Sequence, residues 1–186
     1  MKKILYLSLA ALMTFTALSC KKNGLDKVDD VCAKIEDDNF RKYCLENFDL
    51  DGDHKISMVE AAAVLHISFM KETTYESLSG IEYFVNLETL YTFANHVKKM
   101  DLSKNTKLTT LTCSHSSLQK LDLTSNTKLQ SLTCQANPFA ELDLSNCLEL
   151  KSLNCSGSNK LLTVYLKEGQ TIENMNLPEI TKIVYK

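Results

Sequence analysis

The segment Asp49-Leu50-Asp51-Gly52-Asp53-His54-Lys55-Ile56-Ser57-Met58-Val59-Glu60 carries the densest oxygen chemistry of the chain. Carboxylates at its first, third, fifth and twelfth positions can converge on one hard divalent cation, which prefers roughly six to eight oxygen ligands. Asp49, Asp51 and Asp53 would each supply a carboxylate, Lys55 its carbonyl, Ser57 a hydroxyl directly or through water, and Glu60 both oxygens. The competing reading is a metal-free capped turn, with Glu60 and Ala61 to Ala63 opening a helix. The second residue with distinctive chemistry is Cys20, which follows Lys2, Lys3 and an apolar run from Ile4 to Leu18. That run is shorter than the ~20 residues a membrane-spanning helix needs, and its basic start marks it as an export signal.

The acidic segment resembles an EF-hand calcium loop, which implies a structural Ca2+ held by Asp49, Asp51, Asp53, Lys55, Ser57 and Glu60. His54 departs from that loop, standing where it has a glycine at positive φ. A side chain there costs about 1 kcal/mol and weakens the expected affinity. Ala17-Leu18-Ser19-Cys20 resembles a bacterial lipobox, with Ala17 in place of the usual leucine. The resemblance implies that residues 1–19 are a lipoprotein signal peptide and that Cys20, once diacylglycerylated, becomes the new N-terminus, held to a membrane by acyl chains. Ordinary secretory cleavage nearby is the alternative.

These sites need elements to position them. The chain has 186 residues, 44% of them hydrophobic, and 21 basic residues against 23 acidic give a formal charge of -2. Such a composition fits one or two globular domains, excludes wholesale disorder, and leaves no basic footprint for a nucleic-acid backbone. Residues 20–27 read as a lipidated flexible tether containing Gly24. A helical cap is expected over 28–70, with the acidic loop at 49–60. Val28, Val31, Ile35, Phe40, Tyr43, Cys44, Leu45 and Phe48 recur at helical intervals behind Asp29 or Asp30 as N-cap, with a break at Asp37-Asp38-Asn39. Cys32 and Cys44 would lie ~18 Å apart in one continuous helix, beyond disulfide reach, whereas a helical hairpin could join them. A bridge and two independent core thiols are both open readings.

Residues 71–186 are periodic. Leu87, Leu108, Leu129 and Leu150 recur every 21 residues, as do Leu90, Leu111, Leu132 and Leu153, or Leu102, Leu123 and Leu144. Each turn holds two half-units, such as Leu108-Thr109-Thr110-Leu111-Thr112-Cys113 and Leu118-Gln119-Lys120-Leu121-Asp122-Leu123. Alternate residues point inward, and each turn buries its leucines only against the turns beside it. An extra residue between Cys155 and Leu161 predicts a small loop, and the last unit, from Ile172 to Tyr185, reads as a truncated closing turn whose open edge offers a pairing surface.

The L-x-x-L-x-L/C half-units resemble the leucine-rich repeat, particularly that of internalin-like lipoproteins of Bacteroidetes-type bacteria, over residues 20–186. The resemblance implies an α+β repeat fold: a short solenoid of about 21-residue turns with two short strands per turn, behind an N-terminal helical EF-hand-like cap. It also implies a bacterial outer-membrane lipoprotein, facing the periplasm or the cell surface, that binds a protein or glycan.

Several ladders have structural explanations. Cys113, Cys134 and Cys155 occupy successive inward rungs at a spacing that matches no zinc or redox motif, so they read as buried thiols. Asn95, Asn105, Asn126 and Asn137 follow strands, where a buried amide satisfies turn backbone. His66, His96 and His115 share no repeat position and have no paired nucleophile, so no active site is expected, and no catalytic cofactor. The two faces differ more. First-strand outward positions are Thr110, Thr112, Ser114, Ser131, Thr133, Gln135, Ser152, Asn154, Ser156, Asn174 and Asn176, without a charge. Second-strand positions, among them Lys99, Asp101, Lys120, Asp122, Glu141 and Asp143, mix both signs. Tyr91 and Phe93 stand at the N-terminal end of the neutral face, either as exposed anchors or covered by the cap. The expected function is a non-enzymatic adhesion or interaction module; the alternative is a structural envelope lipoprotein without a dedicated ligand.

Overall fold

The computed structural model describes residues 30–69, 74–93 and 96–186. The expected signal peptide, Cys20, the tether and Asn95 lie outside them. Asp30 accepts the Cys32 N–H and starts one turn of 3-10 helix, Val31–Lys34. Asp37 then accepts the Phe40 N–H and caps helix α1 (Asp38–Phe48), so the sequence break at Asp37-Asp38-Asn39 separates two helical pieces. Helix α2 (Met58–Ala63) opens on a reciprocal cap between Ser57 and Glu60. Helix therefore occupies only part of the 28–70 segment, and strand β1 (His66–Phe69) within it belongs to the repeat sheet. The reason is its period-2 alternation, which places Ile67 in register with Leu90 on the inner side.

One parallel sheet runs β1, β2 (Thr89–Thr92), β3 (Thr110–Thr112), β4 (Ser131–Thr133), β6 (Ser152–Asn154) and β8 (Asn174–Asn176). Leu90, Leu111, Leu132, Leu153 and Met175 stack in register across it, giving a β-solenoid of about five turns of about 21 residues. The second sheet has only three strands, β5 (Glu141–Asp143), β7 (Thr163–Leu166) and β9 (Lys182–Tyr185). Two strands per turn thus form only from Glu141 onward. There the Leu162 and Thr163 N–H groups reach the Ala140 carbonyl, and the Leu144 N–H reaches the Tyr165 carbonyl.

The leucines that stack in register, Phe40, Phe69 and Phe84, and all six described cysteines share one buried cluster. Gly80, at φ 99°, seats the N-terminal segment on the first turn, because a Cβ there would come within 2.5 Å of Ile35 Cγ1. Buried amides tie successive turns together. Asn105 Nδ2 donates to the Ile81 and Phe84 carbonyls, and Asn126 Nδ2 to those of Leu102 and Asn105. One turn further Cys147 takes this place with a weak thiol contact to the Leu123 carbonyl, and Gln170 then resumes the amide pattern on Leu144 and Cys147. Asn137 does the same work at another corner, donating to the carbonyls of Cys113 and Cys134.

Candidate functional site

Two regions bring together the residues singled out by the sequence. In the acidic loop the carboxylates of Asp49, Asp51 and Asp53 offer oxygens all within 4.8 Å of one another. Short-range backbone bonds shape it: Asp49 accepts the N–H groups of Gly52 and His54, Asp51 that of Asp53, and Asp53 that of Lys55. His54 adopts φ 63°, the left-handed conformation the loop needs there. Glu60 and Ser57 are engaged elsewhere. Glu60 accepts the Leu50 N–H on Oε1 and the Ser57 N–H and hydroxyl on Oε2. Burial opposes its charge, but these donors outweigh burial and hold its carboxyl below the usual value. These three carboxylates could hold a hard cation between them, while Glu60 would have to release its cap to join them.

The second region is the outer surface of the six-stranded sheet. Tyr91 on β2 is 43% exposed and Phe93, just beyond it, 38%, so the helical segment does not cover them. The Phe93 ring meets the His115 ring edge-on, centroids 5.1 Å apart. Thr110, Ser131, Thr133, Gln135, Ser152, Asn154 and Ser156 lie half-buried along the next turns, without a charge among them. Gln135 Nε2 donates to the Ser156 hydroxyl at 2.6 Å, which orients that end of the row. Two expected members are withdrawn. Thr112 and Ser114 are buried, Thr112 in register between Tyr91 and Thr133, and Ser114 accepting the Gln135 N–H. Alternation marks a side as outward, yet larger neighbours one turn away close over a small side chain. His115 and Ser68 were missed: His115 belongs to the aromatic cluster, and Ser68 of β1 extends the row beside Tyr91. The alternation of His66-Ile67-Ser68-Phe69 was the available signal for Ser68.

The opposite surface is ordinary. Asp101, Asp122 and Asp143 each close a tight turn by accepting the N–H two residues on, from Ser103, Thr124 and Ser145. A cleft of about 370 Å³ is lined by Glu36, Asp37, Asp38, Asn39, Thr74, Glu76 and Ser77, a set without a nucleophile beside a base.

No protein-family model and no curated protein matches the chain. Solved structures do. The functional domain of InlJ from Listeria monocytogenes, which includes a cysteine ladder, superposes with a TM-score of 0.58 at 24% identity, over 74% of this chain and 38% of that one. The internalin InlF of the same species gives 0.62 at 19% identity, over 75% and 45%. Internalin C2, also from Listeria monocytogenes, gives 0.54 at 13% identity, over 89% and 100%. The fold is the internalin leucine-rich repeat. The chain spans less than half the length of the first two proteins, and at these identities the likeness is one of fold.

Within this internalin-type coil, Cys113, Cys134 and Cys155 form a column of buried thiols, with the Sγ atoms of Cys134 and Cys155 at 3.0 Å. Burial raises the Cys113 thiol far above its usual pKa, and the Cys155 contact followed by burial does the same for Cys134. Burial also lifts Cys147 to about 12 and Cys32 to about 11. A thiol is a nucleophile only as thiolate, so Cys113 and Cys134 pack rather than react. Cys32 and Cys44 are likewise buried and free, not bridged.

Proposed function

We propose that the chain is a non-enzymatic interaction module of the bacterial cell envelope, held to the outer membrane by acyl chains on Cys20, which presents its first-strand face to a protein or glycan ligand. The internalin-type fold supports the class, since such coils offer an extended strand surface for interaction. The observation that carries the reading is the exposure of Tyr91 and Phe93 at the end of an uncharged row. Desolvating Ser, Thr, Asn and Gln costs less than desolvating Lys or Asp, and aromatic side chains are frequent anchors of binding energy. The acidic loop adds a structural role in this reading: calcium on Asp49, Asp51, Asp53 and the Lys55 carbonyl would neutralise three converging charges between α1 and α2.

The test compares two double variants in capture of host or envelope ligands and on a glycan array. Tyr91→Ala with Phe93→Ala should weaken capture by roughly thirtyfold, from a loss of about 2 kcal/mol, while Lys120→Ala with Asp122→Ala should leave it near wild type. Loss of binding in the charged-face variant alone, with both proteins folded, would reverse the assignment.

A further inference from the structure

The uncharged row on the six-stranded sheet has a composition and a spacing that narrow its ligand. From Thr110 to Ser156 its half-buried members are hydroxyls and carboxamides. Each such group can both donate and accept a hydrogen bond, and none carries a charge. Charge enters at the margin, where exposed Glu88 and Lys151 precede β2 and β6. A protein partner of ordinary size covers about 800 Å² on each side, with a centre rich in apolar and aromatic side chains and a polar rim. The row departs from that plan. Its two aromatics stand at one end, and the exposed leucines, Leu50, Leu148 and Leu162, lie off the strands of this sheet.

The register sets a repeat. Ser68, Tyr91, Thr112, Thr133 and Asn154 lie opposite one another on successive strands, and Thr110, Ser131 and Ser152 form a second file beside them. Neighbouring strands are about 4.8 Å apart, so groups of the same kind recur at that step along the coil. A pyranose ring in an extended polysaccharide advances by about one strand spacing, which lets consecutive sugars meet consecutive turns. The edge of each sugar is a ring of hydroxyls, matched to donors that also accept. Its faces are C–H groups, which suit the negative π face of an aromatic ring.

Tyr91 supplies such a ring within the first file, and Phe93 beyond it is met edge-on by the His115 ring at 5.1 Å. Thr112 is buried between Tyr91 and Thr133, so on β3 the half-buried Thr110 is the member left to bond a sugar. Further along, the 2.6 Å bond from Gln135 to Ser156 fixes both side chains before a ligand arrives, which lowers the entropy lost on binding.

On the reading that the first-strand face is the contact surface, we propose that its ligand is an uncharged polysaccharide laid across the strands, parallel to the axis of the coil. One sugar stacks on Tyr91 and Phe93, and later sugars bond Ser131 and Thr133 on β4 and Ser152 and Asn154 on β6. From β2 to β6 the site crosses four strands and takes about four sugars.

Native electrophoresis of the purified full chain tests the assignment, in gels containing mannan, xyloglucan, laminarin or pullulan, which are neutral, or alginate or heparin, which are acidic. Calorimetry follows with oligosaccharides of whichever polymer retards the chain. At least one neutral polymer should retard it and the acidic ones should not, and salt at about 0.5 M should leave the binding unchanged because no ion pair forms. Affinity should rise with oligosaccharide length to about four sugars and then level off. Tyr91→Ala with Phe93→Ala should weaken binding about tenfold or more, and so should Ser131→Ala with Ser152→Ala, each checked for its fold by circular dichroism. A neutral polymer that binds the aromatic variant as well as wild type overturns both this assignment and the reading of the face. Retardation by acidic polymers alone, or binding lost in salt, overturns the assignment. So does a chain that no neutral polymer retards; if the aromatic variant then still loses capture of a protein, the contact face stands with a protein as its occupant.

Discussion

Asn126 and Asn137 offer a matched test of how buried amides hold the coil. Both are buried, and the two amide N–H groups of each donate to carbonyls of the stack, at 3.1 and 3.0 Å for Asn126 and at 2.8 and 3.1 Å for Asn137, where the Gln135 carbonyl shares them at 3.3 Å. They differ at the side-chain oxygen. Asn137 Oδ1 accepts the Leu118 N–H at 3.4 Å, whereas Asn126 Oδ1 is buried without a partner. Replacing either by alanine removes two bonds of about 1 kcal/mol each. At Asn126 the change also removes an unsatisfied oxygen that costs about 1 kcal/mol to bury, so the net loss should fall to about 1 kcal/mol. At Asn137 it orphans the Leu118 N–H, adding about 1 kcal/mol for a total near 3 kcal/mol. Urea unfolding followed by circular dichroism, with the slope unchanged between variants, measures both values. In thermal melts each kcal/mol corresponds to roughly 2–4 °C at this size. An Asn126→Ala variant that loses as much stability as Asn137→Ala would refute the reasoning, because the orphaned oxygen would then have no cost.

Three further outcomes are expected. Calcium at ten times its Kd should stabilise the fold by about 1.4 kcal/mol if the acidic loop binds it, so identical melting curves in chelator and in millimolar calcium would leave the loop a metal-free capped turn. Hydrogen bonds from Ser103 to Asp101 and from Thr124 to Asp122 hold both carboxyls below their ordinary value of 3.8; at Asp143 burial opposes the shift, and Lys186 and Ser145 outweigh it. The stability these groups contribute is complete above 3.8 and is lost as pH falls through their lower folded values, so replacing all three by asparagine should flatten the acid limb of the stability profile. Cys20→Ala should abolish membrane association, because an export signal cannot replace an acyl anchor; retention of the variant in the membrane fraction counts against lipidation.

The period of 21 determined most of the architecture in advance. A solenoid's contacts join one turn to the next, so a leucine repeated at fixed spacing already states which side chains meet, and the stack from Leu90 to Leu153 follows. The helix starts were legible in part: of Asp29 and Asp30 the structure uses Asp30, the break at Asp37-Asp38-Asn39 becomes the Asp37 cap of α1, and the capped turn before Ala61 is made by Ser57 with Glu60, since capping is a local bond between near neighbours. The uncharged row and its two aromatics were legible for the same reason of alternation. What tertiary structure decided lay where a residue's fate depends on a neighbour outside its own repeat. Ile67 joins Leu90 across a longer step than the others, which placed β1 in the sheet rather than in a helical cap. Cys147 and Gln170 took the places of buried asparagines through what they could reach on the previous turn. Glu60 turned to the Leu50 and Ser57 N–H groups instead of toward the three aspartates, a choice between donors that spacing does not rank. Thr112 and Ser114 sank beneath the surface because burial depends on the size of the side chains above and below, and a pattern of inward and outward positions carries no such volumes.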